Sequence, residues 1–270
     1  MLKIGVIGCG AIGTELCKAI DSKLINAHLA AIYDRSIEHC EQLSKLLKHK
    51  PRISSPDELI SGADIVIECA SSDAVREFGL TVLENGKDLM VLSVGAFAEP
   101  GILSKFIETA TAKNCRIFIP SGAIAGLDGL KSASVAHIRN VALTTTKNPF
   151  GLKGAPYIMK NNIDLDSFAE KTLLFEGSAK EAIEAFPANV NVAVSLSLAG
   201  IGTENTRVRV FVDPETLRNI HEIEVEGDFG KFTCIIENVP SPDNPRTSYL
   251  AALSAIATLK KITEPLQVGT

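Results

Sequence analysis

Three glycines near the amino terminus have the spacing of a phosphate-binding turn. Gly8, Gly10 and Gly13 form the pattern G-x-G-x-x-G, directly after an apolar run and at the start of a helical pattern, which is the context that this motif requires. The first glycine permits a tight turn, the second leaves room for a pyrophosphate, and the third lets helix and strand pack closely. The pattern therefore predicts a dinucleotide site, with a glycine-rich turn that binds nothing as the alternative.

An acidic residue favours the dinucleotide interpretation. Asp34 ends the second predicted strand, 21 residues after Gly13, where a carboxylate can bond the ribose hydroxyls. The helix that opens with Ala11 and Ile12 offers free N–H groups to the phosphates. The Asp34 carboxylate repels the 2′-phosphate of NADP and so predicts NAD, whereas the neighbouring Arg35 could pair with that phosphate and keeps NADP as an alternative.

Two later segments place small residues at predicted strand ends. "CASS" follows the fourth strand and "SVGAF" follows the fifth, and open α/β sheets bind their ligands at the carboxyl ends of the strands. Ala70, Ser71 and Gly95 are therefore candidate cofactor contacts. Small residues at strand ends are also common in loops that bind nothing, and this alternative stays open.

The elements that must position these residues follow two different patterns. Up to residue 120 short apolar strands alternate with helices, which predicts an α/β, Rossmann-type, doubly wound parallel sheet. From residue 121 to 244 the strands are longer and alternate with polar residues, which predicts an α+β substrate and dimerisation domain built on a mostly antiparallel sheet. The last segment, 245–270, is predicted to be an amphipathic helix that completes the first domain.

Composition excludes several classes of protein. The 270 residues are 46% hydrophobic and 22% charged with a net charge of −5, which is ordinary for a globular chain and gives no basic face for nucleic acid. The six cysteines form no C-x-x-C pair, so they are interpreted as reduced core residues and no metal site is expected. No signal peptide or apolar run long enough for a membrane span is seen, so a cytoplasmic protein without a membrane partner is expected.

Three polar residues in the second half stand out. His221 begins an alternating run, and an imidazole with an ordinary pKa of ~6.5 suits proton transfer near neutral pH; a half-exposed histidine satisfied by local backbone is the alternative. Asn189 and Asn191 head an apolar helix after Pro187. Each asparagine could be a helix N-cap or could aim its amide at a ligand.

Five segments taken together resemble the L-aspartate dehydrogenase family over nearly the whole chain. They are "GVIGCGAIG", "SGAIAGLDGL", "FPANVNVAVSLSLAG", "HEIEVEGDFG" and "NPRTSYLAALSAIATLKK"; the first is generic to Rossmann enzymes and the others are more specific. The resemblance implies an NAD(P)-dependent homodimer that oxidises L-aspartate to iminoaspartate, which hydrolyses to oxaloacetate and ammonia or feeds NAD biosynthesis. It places the nicotinamide near Ala123 to Ala125 and Asn191, and the active-site histidine at His221.

A dicarboxylate substrate requires cationic partners. Lys147 and Asn189 are the predicted substrate contacts, and the other candidate cations are Lys153, Arg207, Arg209 and Arg246. A solvated surface position is the alternative for each cation, and the sequence does not identify which of them bind the carboxylates. Glu222 is predicted to lie on the opposite strand face from His221, so a group that orients the imidazole must come from elsewhere. The alternatives are another oxidoreductase of this architecture, of the homoserine dehydrogenase or dihydrodipicolinate reductase type, and a non-enzymatic NAD-binding regulator.

Overall fold

The computed structural model describes residues 1–187, 190–241 and 244–270. These residues fall into two compact units. The first unit comprises Met1–Pro120 with Ala251–Gln267, and the second comprises Ser121–Leu250 with Val268–Thr270.

The first unit is built on a six-stranded parallel sheet with the strand order β3-β2-β1-β4-β5-β6. Its strands are β1 (Leu2–Ile7), β2 (Ala27–Tyr33), β3 (Arg52–Ile53), β4 (Ile65–Glu68), β5 (Asp88–Val91) and β6 (Ile117–Phe118). Its helices are α1 (Ala11–Asp21), α2 (Ile37–Leu46), α3 (Pro56–Gly62), α4 (Ser72–Glu84) and α5 (Ile102–Lys113). The strand order reverses beside β1, which makes the carboxyl end of β1 the switch point where open sheets bind ligands. The predicted Rossmann-type sheet is therefore confirmed.

The strands of this sheet are apolar because helices cover both of its faces. Val6, Ile32 and Ile67 are fully buried. The segment "SPDELI" predicts a helical turn capped by Ser55 or Asp57, and the structure has Ser55 as the cap, since its side chain accepts a hydrogen bond from the Glu58 N–H.

The second unit is built on a five-stranded sheet with the order β11-β10-β7-β9-β8. Its strands are β7 (Ile138–Lys147), β8 (Thr172–Ser178), β9 (Thr206–Val212), β10 (Asn219–Gly227) and β11 (Gly230–Asn238), with a separate pair β12 (Pro240–Ser241) and β13 (Asn244–Ser248). Its helices are α6 (Leu127–Ala133), α7 (Pro149–Leu152), α8 (Pro156–Lys160), α9 (Ala179–Ala185) and α10 (Val190–Ala199). The sheet is antiparallel as predicted, except that β7 and β9 run parallel.

Apolar side chains at every second position of the strands give the five-stranded sheet one apolar face, and helices cover that face. Val141, Leu143, Val208 and Ile223 point to one face, where they form a core cluster with residues of α6, α9 and α10. The opposite face carries most of the polar residues of the alternation, among them Thr144, Arg209 and Glu222. A side chain near the carboxyl end of β7 or the start of β10 therefore points to the covered face or to the opposite face according to the parity of its position.

The last helix starts later than the sequence predicts. Helix α11 spans Tyr249–Thr263, whereas Asn244–Ser248 form a strand. Pro245 accounts for the difference, because proline pushes the residue before it into extended backbone. Ala255 and Leu259 of α11 pack in the core of the first unit. In the part of the chain that the structure describes, no helix combines the length and apolar character needed to cross a bilayer.

Candidate active site

The backbone conformation requires glycine at two of the three glycine positions of the G-x-G-x-x-G motif. Gly8 has φ +107°, and a Cβ there would lie 2.7 Å from the carbonyl carbon of Cys69. A Cβ on Gly13 would overlap the carbonyl oxygen of Gly8. Both positions therefore exclude any side chain, whether or not a ligand binds.

Gly10 differs from the other two glycines. Its φ of −75° is open to any residue, and a Cβ there would meet no atom within 4 Å. Gly10 is the N-cap of α1, so the first-turn N–H groups of Ala11 and Ile12 begin beside this open space. An unfilled space at a helix N-terminus fits a pyrophosphate, which the predicted roles of Gly10, Ala11 and Ile12 require.

Asp34 holds the glycine turn from the end of β2. Its Oδ2 accepts a hydrogen bond of 2.8 Å from the backbone N–H of Cys9, and its Oδ1 accepts one of 3.0 Å from Ser36. Burial would raise the pKa of Asp34, but these bonds and a contact with His39 outweigh burial and lower it. Asp34 is therefore ionised at neutral pH, as its predicted role toward a ribose requires.

We expect Asp34→Ala to weaken NAD binding more than NADP binding, because the variant loses an acceptor for the ribose and a charge that repels a 2′-phosphate. Dissociation constants for both nucleotides, measured by fluorescence titration, test this. Asp34→Asn is the matched control, since its amide oxygen can still accept from Cys9. An equal loss for both nucleotides would reduce Asp34 to a structural support of the turn.

Arg35 forms an exposed ion pair of 2.8 Å with Glu77. Exposed pairs of this kind contribute little to stability and exchange partners readily. The pair therefore leaves the guanidinium accessible to a phosphate, and NADP stays an alternative to NAD.

A buried carboxylate that the sequence analysis missed joins the two small-residue segments. Glu68, at the end of β4, is 2% exposed. Its Oε1 accepts from the N–H groups of Ala70 and Ser71 at 2.8 and 2.9 Å. Ser93 donates its hydroxyl to the same Oε1 and its N–H to Oε2. Burial raises the pKa of Glu68, and the four hydrogen bonds oppose that shift. The carboxylate thus fixes the loops after β4 and β5 to each other.

The structure places the predicted contacts of these loops at the carboxyl edge of the sheet. Ala70 and Ser71 are exposed, and Ser71 caps α4 by accepting from the N–H of Ala74. Gly95 lies in the 3-10 helix Val94–Ala98 that follows β5. Ser71 therefore has a structural role whether or not it also contacts the cofactor.

In the second unit, strand pairing gathers polar side chains on the covered face of the sheet. His221 of β10 stands opposite Thr145 of β7, and its Nδ1 lies 3.0 Å from the Thr145 Oγ1. Lys147 follows Thr145 by two residues and shares its face. Asn238, two residues after the Ile236 that pairs with His221, is on this face as well. We call Thr145, Lys147, His221 and Asn238 the polar cluster.

The polar cluster is buried, and burial changes the basicity of its ionisable groups. His221 is 4% exposed and Lys147 is 8% exposed. Burial lowers the pKa of Lys147 to about 8. Burial, and then the positive charge of Lys147, lower the pKa of His221 to about 3. Perturbed groups of this kind are typical of catalytic sites, and at neutral pH the imidazole is in its neutral form.

The lowered pKa of His221 predicts a dependence of stability on pH. Between the ordinary value of ~6.5 and the folded value of about 3, the unfolded state binds the proton that the folded state rejects. His221 therefore makes the free energy of unfolding fall with decreasing pH, by up to about 1.4 kcal/mol per pH unit in that window. Urea titrations at several pH values should show this slope in the parent protein and a flatter one in His221→Asn. Equal slopes in both would contradict the buried, neutral histidine.

The orienting group of His221 is a hydroxyl from a distant strand. Glu222 pairs with Thr144 and Ile235 and lies on the opposite face from His221, as predicted. The side chain that holds the imidazole is that of Thr145.

The segment after β6 lies against β11. The carbonyl oxygen of Ala123 accepts a hydrogen bond of 2.9 Å from the Asn238 Nδ2. Gly126 has φ +82°, and a Cβ there would come 2.8 Å from the Cys234 Sγ. Ala125, between them, is exposed.

Asn191 is the one of the two predicted asparagines that lies in the described part of α10. Asn191 is exposed and is the second residue of α10, so its N-cap interpretation is wrong. Asn189 lies outside the described residues. The nicotinamide and substrate roles of these residues remain predictions.

Lys147 differs from the other predicted cations of the described residues in being buried. Alternation along a strand predicts that Arg207 and Arg209 share one face; in β9 they do, and both pair with Glu176, at 3.8 and 3.5 Å. Lys153 is exposed, and the side chain of Arg246 lies outside the described part of the chain.

Among the described residues, groups of three or more metal-binding side chains are not found, and the six cysteines are free thiols.

Two family models match the chain in succession. Residues 8–120 match a model described as "Homoserine dehydrogenase, NAD binding domain", so the first unit is an NAD-binding domain. Residues 128–262 match one described as "Aspartate dehydrogenase, C-terminal".

Full-length relatives agree with the second model. The chain is 58% identical to the L-aspartate dehydrogenase of Methanococcoides burtonii and 46% identical to that of Nitrosopumilus maritimus, each with 100% of both chains covered. The crystal structure of aspartate dehydrogenase from Thermotoga maritima matches with a TM-score of 0.75 and 30% identity over 100% of both chains. A homoserine dehydrogenase from Thiobacillus denitrificans, at 14% identity and a TM-score of 0.62 over 97% of this chain and 74% of that one, shares the fold alone. This chain belongs to the L-aspartate dehydrogenase family.

Proposed function

We propose that the protein oxidises L-aspartate with NAD as the hydride acceptor. The observation that carries this proposal is the buried pair of Lys147 and His221 in the half of the chain that matches the aspartate dehydrogenase model. A cation and a neutral imidazole on one face provide the two functions that this substrate requires, namely a partner for a carboxylate and an acceptor for a proton.

His221 accepts the proton that the substrate ammonium must lose before oxidation. Thr145 occupies Nδ1, which leaves Nε2 as the nitrogen for proton transfer. For Nε2 to accept, Nδ1 must carry the ring hydrogen and donate it to the threonine oxygen. The neutral form that burial favours is the form that can act as a base.

Lys147 binds a substrate carboxylate and so links substrate binding to the basicity of His221. Its positive charge lowers the pKa of His221 in the free protein. A carboxylate bound to the ammonium group offsets that charge, and the imidazole then becomes more basic at the moment when it must accept a proton. Lys147 is therefore proposed both to hold the substrate and to adjust His221 to it.

The bound nicotinamide supplies the acceptor for the hydride that leaves the substrate Cα. The remaining iminoaspartate is hydrolysed to oxaloacetate and ammonia or is used in pyridine nucleotide biosynthesis, as the sequence resemblance implies. If hydrolysis completes the reaction, ammonia, oxaloacetate and NADH should form in equal amounts.

Isotope transfer tests the reaction type. With L-aspartate deuterated at Cα, we expect the deuterium in the reduced cofactor, because the Cα hydrogen moves as a hydride. Mass spectrometry of the isolated NADH measures it. Deuterium that stays on the amino acid or appears in solvent would contradict hydride transfer.

A screen of amino acids separates the alternatives. Activity with homoserine in preference to aspartate would favour the homoserine dehydrogenase type, and cofactor binding without turnover of any amino acid would favour a regulator. The aspartate dehydrogenase match over residues 128–262 supports the expectation that aspartate gives the highest kcat/KM.

We also propose that the protein works as a homodimer. The resemblance implies this, and the face of the five-stranded sheet opposite the polar cluster supports it, since Leu173 and Ile235 stand 44% and 63% exposed there. Sedimentation equilibrium tests it, and a monomer at micromolar concentration would exclude it.

A further inference from the structure

Asn238 is a buried amide in the polar cluster with one half of its hydrogen-bonding capacity unused. It is 3% exposed. Its Nδ2 donates to the carbonyl oxygen of Ala123, while its Oδ1 is buried and has no donor among the residues that the structure describes. Buried carbonyl oxygens almost always have a donor. The position of Oδ1 therefore indicates a donor that belongs to a ligand or to water.

The orientation of this amide is fixed by its partner. A carbonyl oxygen can only accept, so the group that faces Ala123 must be the NH2 group and not the oxygen. Exchange of the two amide positions would bring two oxygens together and leave the NH2 without an acceptor. Asn238 thus presents an acceptor, and only an acceptor, on the side where it has no partner.

The neighbours of Asn238 indicate what the missing donor is. Asn238 pairs with Asn219, two residues before His221, and such diagonal neighbours lie roughly 7–8 Å apart between Cα atoms. Lys147 and His221 are where we propose that aspartate binds. Aspartate carries two acceptor carboxylates and one donor group, the α-amino group. The cluster matches this with the cation of Lys147 for a carboxylate and the Oδ1 of Asn238 for an N–H.

We propose that the Oδ1 of Asn238 accepts a hydrogen bond from the α-amino group of the substrate, and that this bond selects amino dicarboxylates over other dicarboxylates. The inference rests on the proposed function. Through Nδ2, the same side chain anchors Ala123, which the sequence resemblance places near the nicotinamide. Asn238 is thus a substrate-contacting residue that also links the substrate to the segment after β6.

Comparison of two ligands isolates the α-amino group. Succinate has both carboxylates of aspartate and no amino group. Dissociation constants for both ligands are measured by calorimetry with the full chain saturated with NADH, so that no turnover occurs. We expect Asn238→Leu to weaken L-aspartate binding about 10- to 100-fold, the worth of one hydrogen bond to a charged group, and to change succinate binding by less than about threefold.

Two further variants separate the causes. Lys147→Met should weaken both ligands alike, because both offer a carboxylate. Asn238→Asp keeps an acceptor oxygen but loses the donor to Ala123. It should retain the preference for aspartate over succinate even if both ligands bind less tightly, and it keeps the test valid if the leucine variant does not fold.

Three outcomes would overturn the proposal. If Asn238→Leu weakens the binding of L-aspartate and of succinate by equal factors, Asn238 only anchors Ala123. A weaker affinity for NADH alone, with the ratio of aspartate to succinate unchanged, would assign the donor to the nicotinamide carboxamide. A parent protein that binds both ligands equally would show that the amino group is not recognised. Failure of the proposed function looks different, because a protein that prefers aspartate to succinate but reduces no NAD would keep the Asn238 assignment.

Discussion

Gly10→Val should abolish NAD binding while the protein remains folded. A Cβ at Gly10 meets no atom within 4 Å, so the valine side chain enters the space that the pyrophosphate needs. Because the phosphates then lose the N-terminus of α1, we expect the dissociation constant of NAD to rise by at least about 100-fold. Loss of a favourable N-cap costs only about 1 kcal/mol of stability. Fluorescence titration and thermal unfolding measure the two effects.

Two other glycines of the first unit provide matched controls for Gly10. Gly62, at the end of α3, also has open space around its Cβ position, and Gly62→Val should leave NAD binding unchanged. Gly13→Ala should instead destabilise the fold, since the added Cβ overlaps the Gly8 carbonyl oxygen. If Gly10→Val binds NAD with an affinity within about twofold of that of the parent protein, the pyrophosphate does not bind at this turn.

Features that depend on neighbours in sequence could be predicted from the sequence. The glycine turn, the Ser55 cap and the alternation of Arg207 and Arg209 each follow from a few adjacent residues, and the structure confirms them. The late start of α11 was missed because Pro245 outweighs the helical pattern that follows it.

Features that depend on strand register could not be predicted. His221 meets Thr145 across 76 residues of chain, and Glu68 meets Ser93 across 25. A shift of one residue in pairing would move Lys147 to the opposite face of the sheet, so its place on the same face as His221 was not readable from "TTTKNP". Glu68 and Asn238 did carry a signal. Glu68 ends a strand whose other residues are all apolar, and Asn238 ends the face of β11 that carries Phe232, Cys234 and Ile236.

Replacement of His221 tests the chemistry most directly. His221→Ala removes the only imidazole of the polar cluster, so the substrate ammonium loses its proton acceptor. We expect kcat to fall by roughly 10²- to 10⁴-fold, the usual contribution of general acid–base catalysis, while the dissociation constant of NAD stays within about twofold. Steady-state kinetics with L-aspartate and fluorescence titration with NAD measure the two quantities.

His137 offers the matched control for this experiment, because it lies in the same unit but is exposed. His137→Ala should leave kcat near that of the parent, which shows that removal of any histidine is not sufficient. Circular dichroism must show that His221→Ala is folded, since the variant leaves the Thr145 hydroxyl without its imidazole. Near-normal turnover of a folded His221→Ala across the range from roughly pH 6 to 10 would leave Lys147, whose pKa burial lowers to about 8, as the base that this reaction requires.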